Sequence, residues 1–458
     1  MLHEECGVMG AYDFDGSDVA LDIYHGLYTL QHRGQESCGI VTNDLSRLYA
    51  VKSGGLVNEV FNSANLAMLK GRVGVGHVLY GYTGEQNDGV QPIVSRYCKG
   101  TMTVAMNGTI TNYRELRGEL EQRGAIFQSS SHAEMVMNLI AVARTQCHSA
   151  EEAVLNVVGK LKGAFSMLVM SPKKLIAVRD PYGFKPLSLG KRRHCYFIAS
   201  ETAAFDVIKA ETVCDIKPGE LIKIDESGIK HYYDYVDKVR PAQCVFEYVY
   251  FARPDSYIDG KSVYRTRIDI GRELCKACPA KADVVVGVPS SGLHFALGYS
   301  YESGIPYADG IVKNSYVGRT FIKSTDASRR EAVSIKLNAL RGAIEDKNVV
   351  LIDDSIVRGT TSANLIRMLK DGGAKSVHMR IASPPFIYSC PYGSDIPDRE
   401  QLAAVRMSID EIRESIGADS LGYLPVKAFA KVGLRDRYCD ACFTGNYPDG
   451  GVPTEKCR

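Results

Sequence analysis

The chain has 458 residues, 45% hydrophobic and 24% charged, with a formal charge of +2. That is the composition of a soluble globular protein long enough for two or three domains with their own cores. The small net charge gives no reason to expect nucleic acid or a membrane surface as partner, and there is no run of about twenty apolar residues to span a bilayer. The start, Met1-Leu2-His3-Glu4-Glu5, is acidic and lacks an apolar signal core, so a cytoplasmic protein is expected. In a reducing compartment the thirteen cysteines are better explained by metal, catalysis and packing than by disulfides.

In chain order, Cys6-Gly7-Val8-Met9-Gly10-Ala11-Tyr12 reads as a short strand directly after that leader. A cysteine so near the start suggests a nucleophile exposed by removal of residues 1–5. Its own α-amine, with a pKa near 8, would then serve as general base. Three β-rich runs follow, each ending in Gly or Asn: Gln31 to Ile40, Val73 to Tyr80, and Ala105 to Asn112, the last containing Asn107-Gly108. On its own, Asn-Gly suits a tight hairpin turn equally well. Phe165–Met170 and Leu175–Val178 predict a hairpin, and Arg179 to Leu187 a Pro/Gly-rich loop. The patterning breaks between Tyr232 and Arg240, where a second domain is expected to begin.

The second half predicts a helix from Tyr264 to Cys275, a strand over Asp283–Pro289 and a small-residue loop at Ser290-Ser291-Gly292. A further strand is expected near Ala308–Val312, then a polar, charged stretch over 323–335 with the composition of a lid over an anionic substrate. Val349-Val350-Leu351-Ile352 reads as a buried central strand ending on Asp353-Asp354. Ser355 to Thr361 forms a small-residue turn, in which Gly359 allows close approach and Thr360 and Thr361 open a helix whose N-terminus suits an anion. Alternating strands and helices with short loops predict a parallel doubly wound sheet with its site at the strand C-terminal ends.

The ordered set from Cys6 through Asn107-Gly108 resembles the N-terminal-nucleophile glutamine amidotransferase domain, and residues 349–361 resemble the phosphoribosyltransferase signature. Nearly the whole chain resembles the glutamine phosphoribosylpyrophosphate amidotransferase family, with the motifs in the family's order. That resemblance implies a propeptide at 1–5 and an α/β/β/α N-terminal-nucleophile sandwich over 6–235. It implies a type I phosphoribosyltransferase fold, a doubly wound parallel sheet, over 236–458. The implied reaction displaces pyrophosphate from phosphoribosyl pyrophosphate (PRPP) with ammonia released from glutamine, as the first step of purine synthesis. Cys6 would be the nucleophile, Asn107 and Gly108 the oxyanion hole, and Arg33 a glutamine ligand. Asp353, Asp354, Ser355, Gly359, Thr360 and Thr361 would hold PRPP, joined by Arg319, Arg329 and Lys336. Mg²⁺ would sit on Ser291, Asp353 and Asp354. Members of the family also carry a four-iron, four-sulfur cluster, whose ligands match Cys244, Cys390, Cys439 and Cys442. A homotetramer and feedback by purine nucleotides are implied as well.

Three points stay open at this stage. Cys439-x-x-Cys442 together with Cys275-x-x-Cys278 is also a pattern for a Cys₄ zinc site. Leu79 stands where the family has the Arg that pairs with the α-carboxylate of glutamine, and His132 where it has the Asp that holds the α-ammonium. The lid (Lys323 to Asp326) and the pyrophosphate loop (Ser290) depart from the family pattern too. Besides the amidotransferase reading there stand a PRPP-dependent transferase using free ammonia or another amine, and a non-catalytic PRPP-binding regulator or partner subunit. A regulator of that kind usually brings a basic DNA-binding domain, and none is visible here.

Overall fold

The computed structural model describes residues 6–80, 89–314, 337–394 and 396–450. Its first half is built on two antiparallel sheets. One contains β1 (Cys6–Asp13), β2 (Ser37–Asn43), β3 (Leu48–Gly54) and β4 (Val73–Leu79). The other contains β5 (Ile93–Tyr97), β6 (Gly100–Ile110), β7 (Gly163–Ser171) and β8 (Lys174–Arg179). Strands β9 (Ser188–Arg192), β10 (Cys195–Ala199) and β11 (Glu211–Asp215) complete the first sheet, in the order β11-β9-β10-β1-β4-β2-β3. Strands β12 (Leu221–Asp225) and β13 (Gly228–Tyr232) complete the second, in the order β13-β12-β8-β7-β6-β5.

The two sheets pack face to face over an apolar layer that includes Val8, Val75, Ala105, Leu168 and Ala177. Helix Ala20–Thr29 covers the outside of the first sheet through Ile23 and Leu27. Helices His132–Arg144 and Ala150–Val158 cover the outside of the second, with Val136, Ile140 and Val154 buried against it. This is the α/β/β/α sandwich expected.

The second half begins with β14 (Gln243–Cys244), a turn of π-helix at Glu247–Phe251 and the hairpin β15 (Tyr257–Ile258) and β16 (Lys261–Ser262). Its sheet consists of β17 (Val284–Gly287), β20 (Asn348–Asp353), β21 (Ser376–Ile381) and β22 (Ser420–Tyr423), all parallel and in that order. β20 is central and buried on both faces, as its continuous apolar run requires. The helix predicted at Tyr264–Cys275 spans Val263–Ala277.

One element differs. The strand expected near Ala308–Val312 makes a single parallel bridge to the sheet, Tyr307 to Val285. The chain then leaves as β18 (Ile311–Lys313), which pairs with β19 (Leu337–Ala339) in a separate antiparallel hairpin. Gly310 marks the departure, because a Cβ there would lie 2.5 Å from Val286 Cγ2.

The halves are joined by charge as well as packing. Arg179, fully buried, donates bidentately to Asp259 at 2.7 and 3.0 Å. The parallel pairing of β14 with β23 (Tyr438–Cys439) brings the C-terminal segment back beside the junction.

Candidate active site

The first site lies where the two sheets meet at the end of β1. In the antiparallel register Cys6 pairs with Leu79 and Leu79 with Ser37, so the three side chains form one row on the inner face. Asn107 faces the same layer from β6. Three buried groups here lack hydrogen-bond partners among the described residues: the Asn107 amide on both atoms, Ser37 Oγ and His77 Nδ1. Leaving such groups unpaired costs about 1–3 kcal/mol each, which marks this end of the sandwich as a place for a polar ligand. Gly108 has φ +120°, and a Cβ on it would stand 2.2 Å from the Ala164 carbonyl oxygen of β7. Only glycine therefore fits this bend in the strand.

His132 opens its helix directly beneath β6. The Ile110 N–H donates to its Nδ1 at 3.0 Å, and its ring stacks on Tyr113 with centroids 4.4 Å apart. Burial pushes its pKa down to about 4. A neutral ring that accepts at Nδ1 carries its proton on Nε2 and is a donor there.

Arg33, expected as a glutamine ligand, is engaged elsewhere. It is 0% exposed; its Nε donates to Glu201, and Nη2 and Nη1 donate to Glu247 at 2.6 and 3.4 Å. Three of its nitrogens are thus committed to carboxylates on opposite sides of the domain junction. Burial works to raise the Glu201 pKa, but Arg33 and then His32 outweigh it and hold that carboxyl well below the usual range.

The second site stands at the C-terminal edge of the parallel sheet, where such sheets bind ligands. β20 delivers Asp353, and Asp354 follows; both are buried. Asp353 Oδ1 accepts from Ser291 Oγ at 3.1 Å and from the Asp354 N–H at 2.9 Å, while Ser355 Oγ donates to Asp354. The Ser290–Gly292 loop can reach so far because Gly292 lies flat on the end of β20; a Cβ there would be 2.2 Å from the Ile352 carbonyl oxygen. The Pro289–Ser290 peptide bond in this loop is cis. Burial first, and the Asp354 charge second, push the Asp353 carboxyl well above the usual range.

Gly359, at φ +85°, caps the N-terminus of helix Thr360–Asp371, and Thr360 and Thr361 are exposed there. Arg319, Arg329 and Lys336 lie outside the described residues, as does the predicted lid; β18 and β19 flank that segment.

The third constellation is thiol. The β14–β23 register pairs Cys244 with Cys439, the short helix after β23 carries Cys442, and the loop after β21 carries Cys390. All four line one cavity, walled also by Phe184, Lys185, Phe246 and Tyr392. Burial pushes the Cys244 thiol up to about 12 and raises Cys439 and Cys442 well above the usual range, with the neighbouring thiols adding to it. The rival pair is elsewhere: Cys275 is buried in the core, and Cys278 Sγ donates to the Tyr423 carbonyl at 3.4 Å. Among the described residues no three His, Cys, Asp or Glu close on a point as they would around one ion.

Comparison with known proteins gives this geometry a family. Residues 82–207 match the glutamine amidotransferase domain family, and residues 259–382 match the phosphoribosyl transferase domain family. Over 97% of its length the chain is 46% identical to the amidophosphoribosyltransferase of Methanocaldococcus jannaschii, covering 97% of that protein. The Bacillus subtilis amidophosphoribosyltransferase is 43% identical over 98% of this chain and 94% of its own. The chain belongs to the amidophosphoribosyltransferase family. The solved PRPP amidotransferase from B. subtilis, complexed with ADP and GMP, superposes with a TM-score of 0.91 at 42% identity, covering 98% of this chain and 99% of that one. Amidophosphoribosyltransferases are phosphoribosyltransferases that carry a glutamine amidotransferase domain, and the two sheet systems described above are those two units.

Sequence reasoning missed the charged residues that join these units. Glu247 was legible as an anomaly, a carboxylate inside the apolar run Cys244 to Ala252. Lys185, 1% exposed on the wall of the thiol cavity, sits in the same way between Phe184 and Pro186. A charged residue inside an aromatic run is the available signal for a buried ion pair.

Proposed function

We propose that this chain forms 5-phosphoribosylamine and pyrophosphate from PRPP, with nitrogen supplied as ammonia that an amide releases at Cys6. The observation that carries the reading is the Asp353–Asp354 pair at the end of β20, met by Ser291 and followed by the N-terminus of helix Thr360–Asp371. In this reading, residues 6–235 form the amidotransferase unit and residues 236–458 the phosphoribosyl unit.

At the first site the Cys6 thiol attacks the amide carbon. The oxyanion is taken by the Gly108 N–H and the Asn107 amide, and ammonia leaves. Water then cleaves the thioester to a carboxylate and restores the thiol. With residues 1–5 removed, the Cys6 α-amine receives and returns the proton. At the second site Asp353 and Asp354 bind the ribose hydroxyls, Ser355 to Thr361 hold the 5′-phosphate, and ammonia replaces pyrophosphate at C1. Arg319, Arg329 and Lys336 are proposed to neutralise the departing pyrophosphate.

Ser291, Asp353 and Asp354 suit Mg²⁺, which favours one or two carboxylates plus substrate oxygens over an all-protein cage. Bound there, it would offset phosphate charge. Cys244, Cys390, Cys439 and Cys442 fit a four-iron, four-sulfur cluster better than zinc. All four line one cavity, whereas Cys275 of the second C-x-x-C pair, which a Cys₄ zinc site of two such pairs would need, is buried in a separate part of the core. A homotetramer and inhibition by purine nucleotides are part of the same proposal; the ADP and GMP bound to the B. subtilis relative support the latter. Among the described residues no helix is long and apolar enough to cross a membrane; a cytoplasmic location is part of the proposal.

A second reading concerns the donor. Leu79 directly opposite Cys6 and the neutral His132 replace two charged contacts to a glutamine zwitterion. At about 1.5–3 kcal/mol each, their loss weakens glutamine by roughly a hundred-fold or more. Pyrophosphate release, measured with glutamine and with ammonium at millimolar donor, is expected to be faster with ammonium; equal rates would end the altered-donor reading. Leu79→Arg with His132→Asp is expected to raise kcat/KM for glutamine about a hundred-fold and leave the ammonium rate unchanged.

Gly108→Ala tests the oxyanion hole. Its Cβ would collide with the Ala164 carbonyl and force β6 to shift. Glutamate release is expected to fall about 10²–10³-fold, while ammonium-driven pyrophosphate release persists.

A further inference from the structure

Lys185 takes no part in either reaction proposed above, yet it is 1% exposed and lines the thiol cavity together with Cys244, Cys390, Cys439 and Cys442. The rest of that wall is aromatic and aliphatic apart from Ser394. Among the described residues that line the cavity, Lys185 is therefore the one cation.

Its position is set by the backbone around it. Arg179 Nε donates to the Lys185 carbonyl at 2.8 Å, and Arg179 Nη2 donates to the Gly183 carbonyl at 2.9 Å. Ser166 Oγ adds a donation to the Lys185 carbonyl at 3.3 Å. On the cavity side the Cys244 N–H donates to the Phe184 carbonyl at 3.2 Å, which sets the residue before Lys185 beside the first thiol. The Phe184 ring stacks on Tyr392, with centroids 4.2 Å apart. Lys185 Nζ donates to the Gly393 carbonyl at 3.4 Å, in the loop that carries Cys390, and lies within electrostatic reach of Cys244. The ammonium thus stands between two thiol-bearing segments on a backbone that is already fixed.

The chemistry of the thiols says what a cation does there. Four thiolates bring four negative charges. An oxidised four-iron, four-sulfur core returns two of them, and so does a single zinc ion, so either centre is doubly negative. Glu247 acts on Cys244, and Asp440 on Cys439 and Cys442, with further negative charge. A doubly negative group in a buried, largely apolar chamber is disfavoured without a counter-charge, and salt does little to screen it.

We propose that Lys185 supplies the counter-charge of the tetrathiolate metal centre, and that the centre is retained through this ammonium. The proposal rests on the reading of the four thiols as ligands of one centre. Lys185 is a positioning residue in it: it ligates no metal, and it acts by charge rather than by bulk.

The test separates charge from bulk. Full-length wild type, Lys185→Met and Lys185→Arg are purified anaerobically, and iron, zinc and acid-labile sulfide are measured per chain. Release of the metal to an excess of chelator is then timed without oxygen. Lys185→Met, which keeps the stem and loses the charge, is expected to release metal about tenfold faster or more than wild type, breaking a buried charge pair being strongly unfavourable. Lys185→Arg, which keeps the charge on a larger head, is expected to stay within about three-fold of wild type. A merely structural role predicts the reverse order, with Met tolerated and the larger Arg disruptive, and that result overturns the proposal. So does wild-type release in both variants. If Lys185→Met does not fold, Lys185→Gln is read in its place, and wild-type release from it overturns the proposal in the same way. Zinc without sulfide in the wild type would overturn the cluster reading alone, because the release rates still report the counter-charge. Wild type free of both metals would overturn the reading of the thiols as ligands, and this inference with it.

Discussion

Replacing Asp353 and Asp354 together by Asn is expected to cut pyrophosphate release from PRPP by about 10²–10⁴-fold with glutamine and ammonium alike, two charge-assisted contacts being worth about 1.5–3 kcal/mol each. The change keeps volume and shape, so packing around β20 should survive. Stability gives an independent check with a definite sign. Burial and the Asp354 charge raise the Asp353 pKa in the folded state above its unfolded value. The ligand-free wild type is therefore more stable at low pH and loses stability as pH rises through the folded pKa. The double variant lacks that titration, and above that pKa its melting temperature without PRPP or Mg²⁺ should equal or exceed that of wild type. Lost transfer with kept stability assigns the carboxylates to substrate and cation. Lost stability at neutral pH would make them structural.

What could be read from the sequence, and what could not, follows from how local each signal is. The β20 unit was legible in full because strand, acidic pair, turn and helix are contiguous, and each residue type has its own local reason. Gly359 takes the left-handed backbone, and the helix starts at Thr360 as expected. The sandwich was legible only through the family that the ordered runs resemble, and the thiols from their match to the same family's pattern. The ion pairs of Arg33 were not legible because its partners, Glu201 and Glu247, are 168 and 214 residues away. No spacing rule connects an arginine to carboxylates at that distance, and a buried triad and a ligand contact look alike in one dimension. The strand expected near Ala308–Val312 is split for a related reason: Tyr307 makes a single bridge to the parallel sheet, while Ile311–Lys313 pairs with β19, far along the chain. His132 could be seen to depart from the family, but its lowered pKa depends on its burial, where it stacks on Tyr113 and accepts from the Ile110 N–H.

Cys439→Ser is expected to strip iron from protein purified anaerobically and to lower the melting temperature by more than about 10 °C. Cys439 is the thiol most deeply tied into the junction. It pairs with Cys244 through β14–β23 and packs with Phe184 of the first half and Tyr392 of the second. Burial raises the Cys439 and Cys442 thiols well above the usual range, so a metal centre that needs thiolates would have to displace their protons. Such a centre binds the folded chain and not the unfolded one, and its binding free energy adds to folding, by about 10 kcal/mol or more for structural zinc in small domains. Even a third of that, spread over about 200 residues, moves the melting point by roughly 10 °C. Cys278→Ser is the matched control. Its thiol makes one weak contact to the Tyr423 carbonyl, so iron content should stay at the wild-type level and the melting point within about 4 °C, the effect of about 1 kcal/mol. Zinc in place of iron, lost equally in both variants, would replace the cluster by a Cys₄ site using the second C-x-x-C pair. Unchanged metal and melting point in Cys439→Ser would leave the four thiols as packing residues at the domain junction.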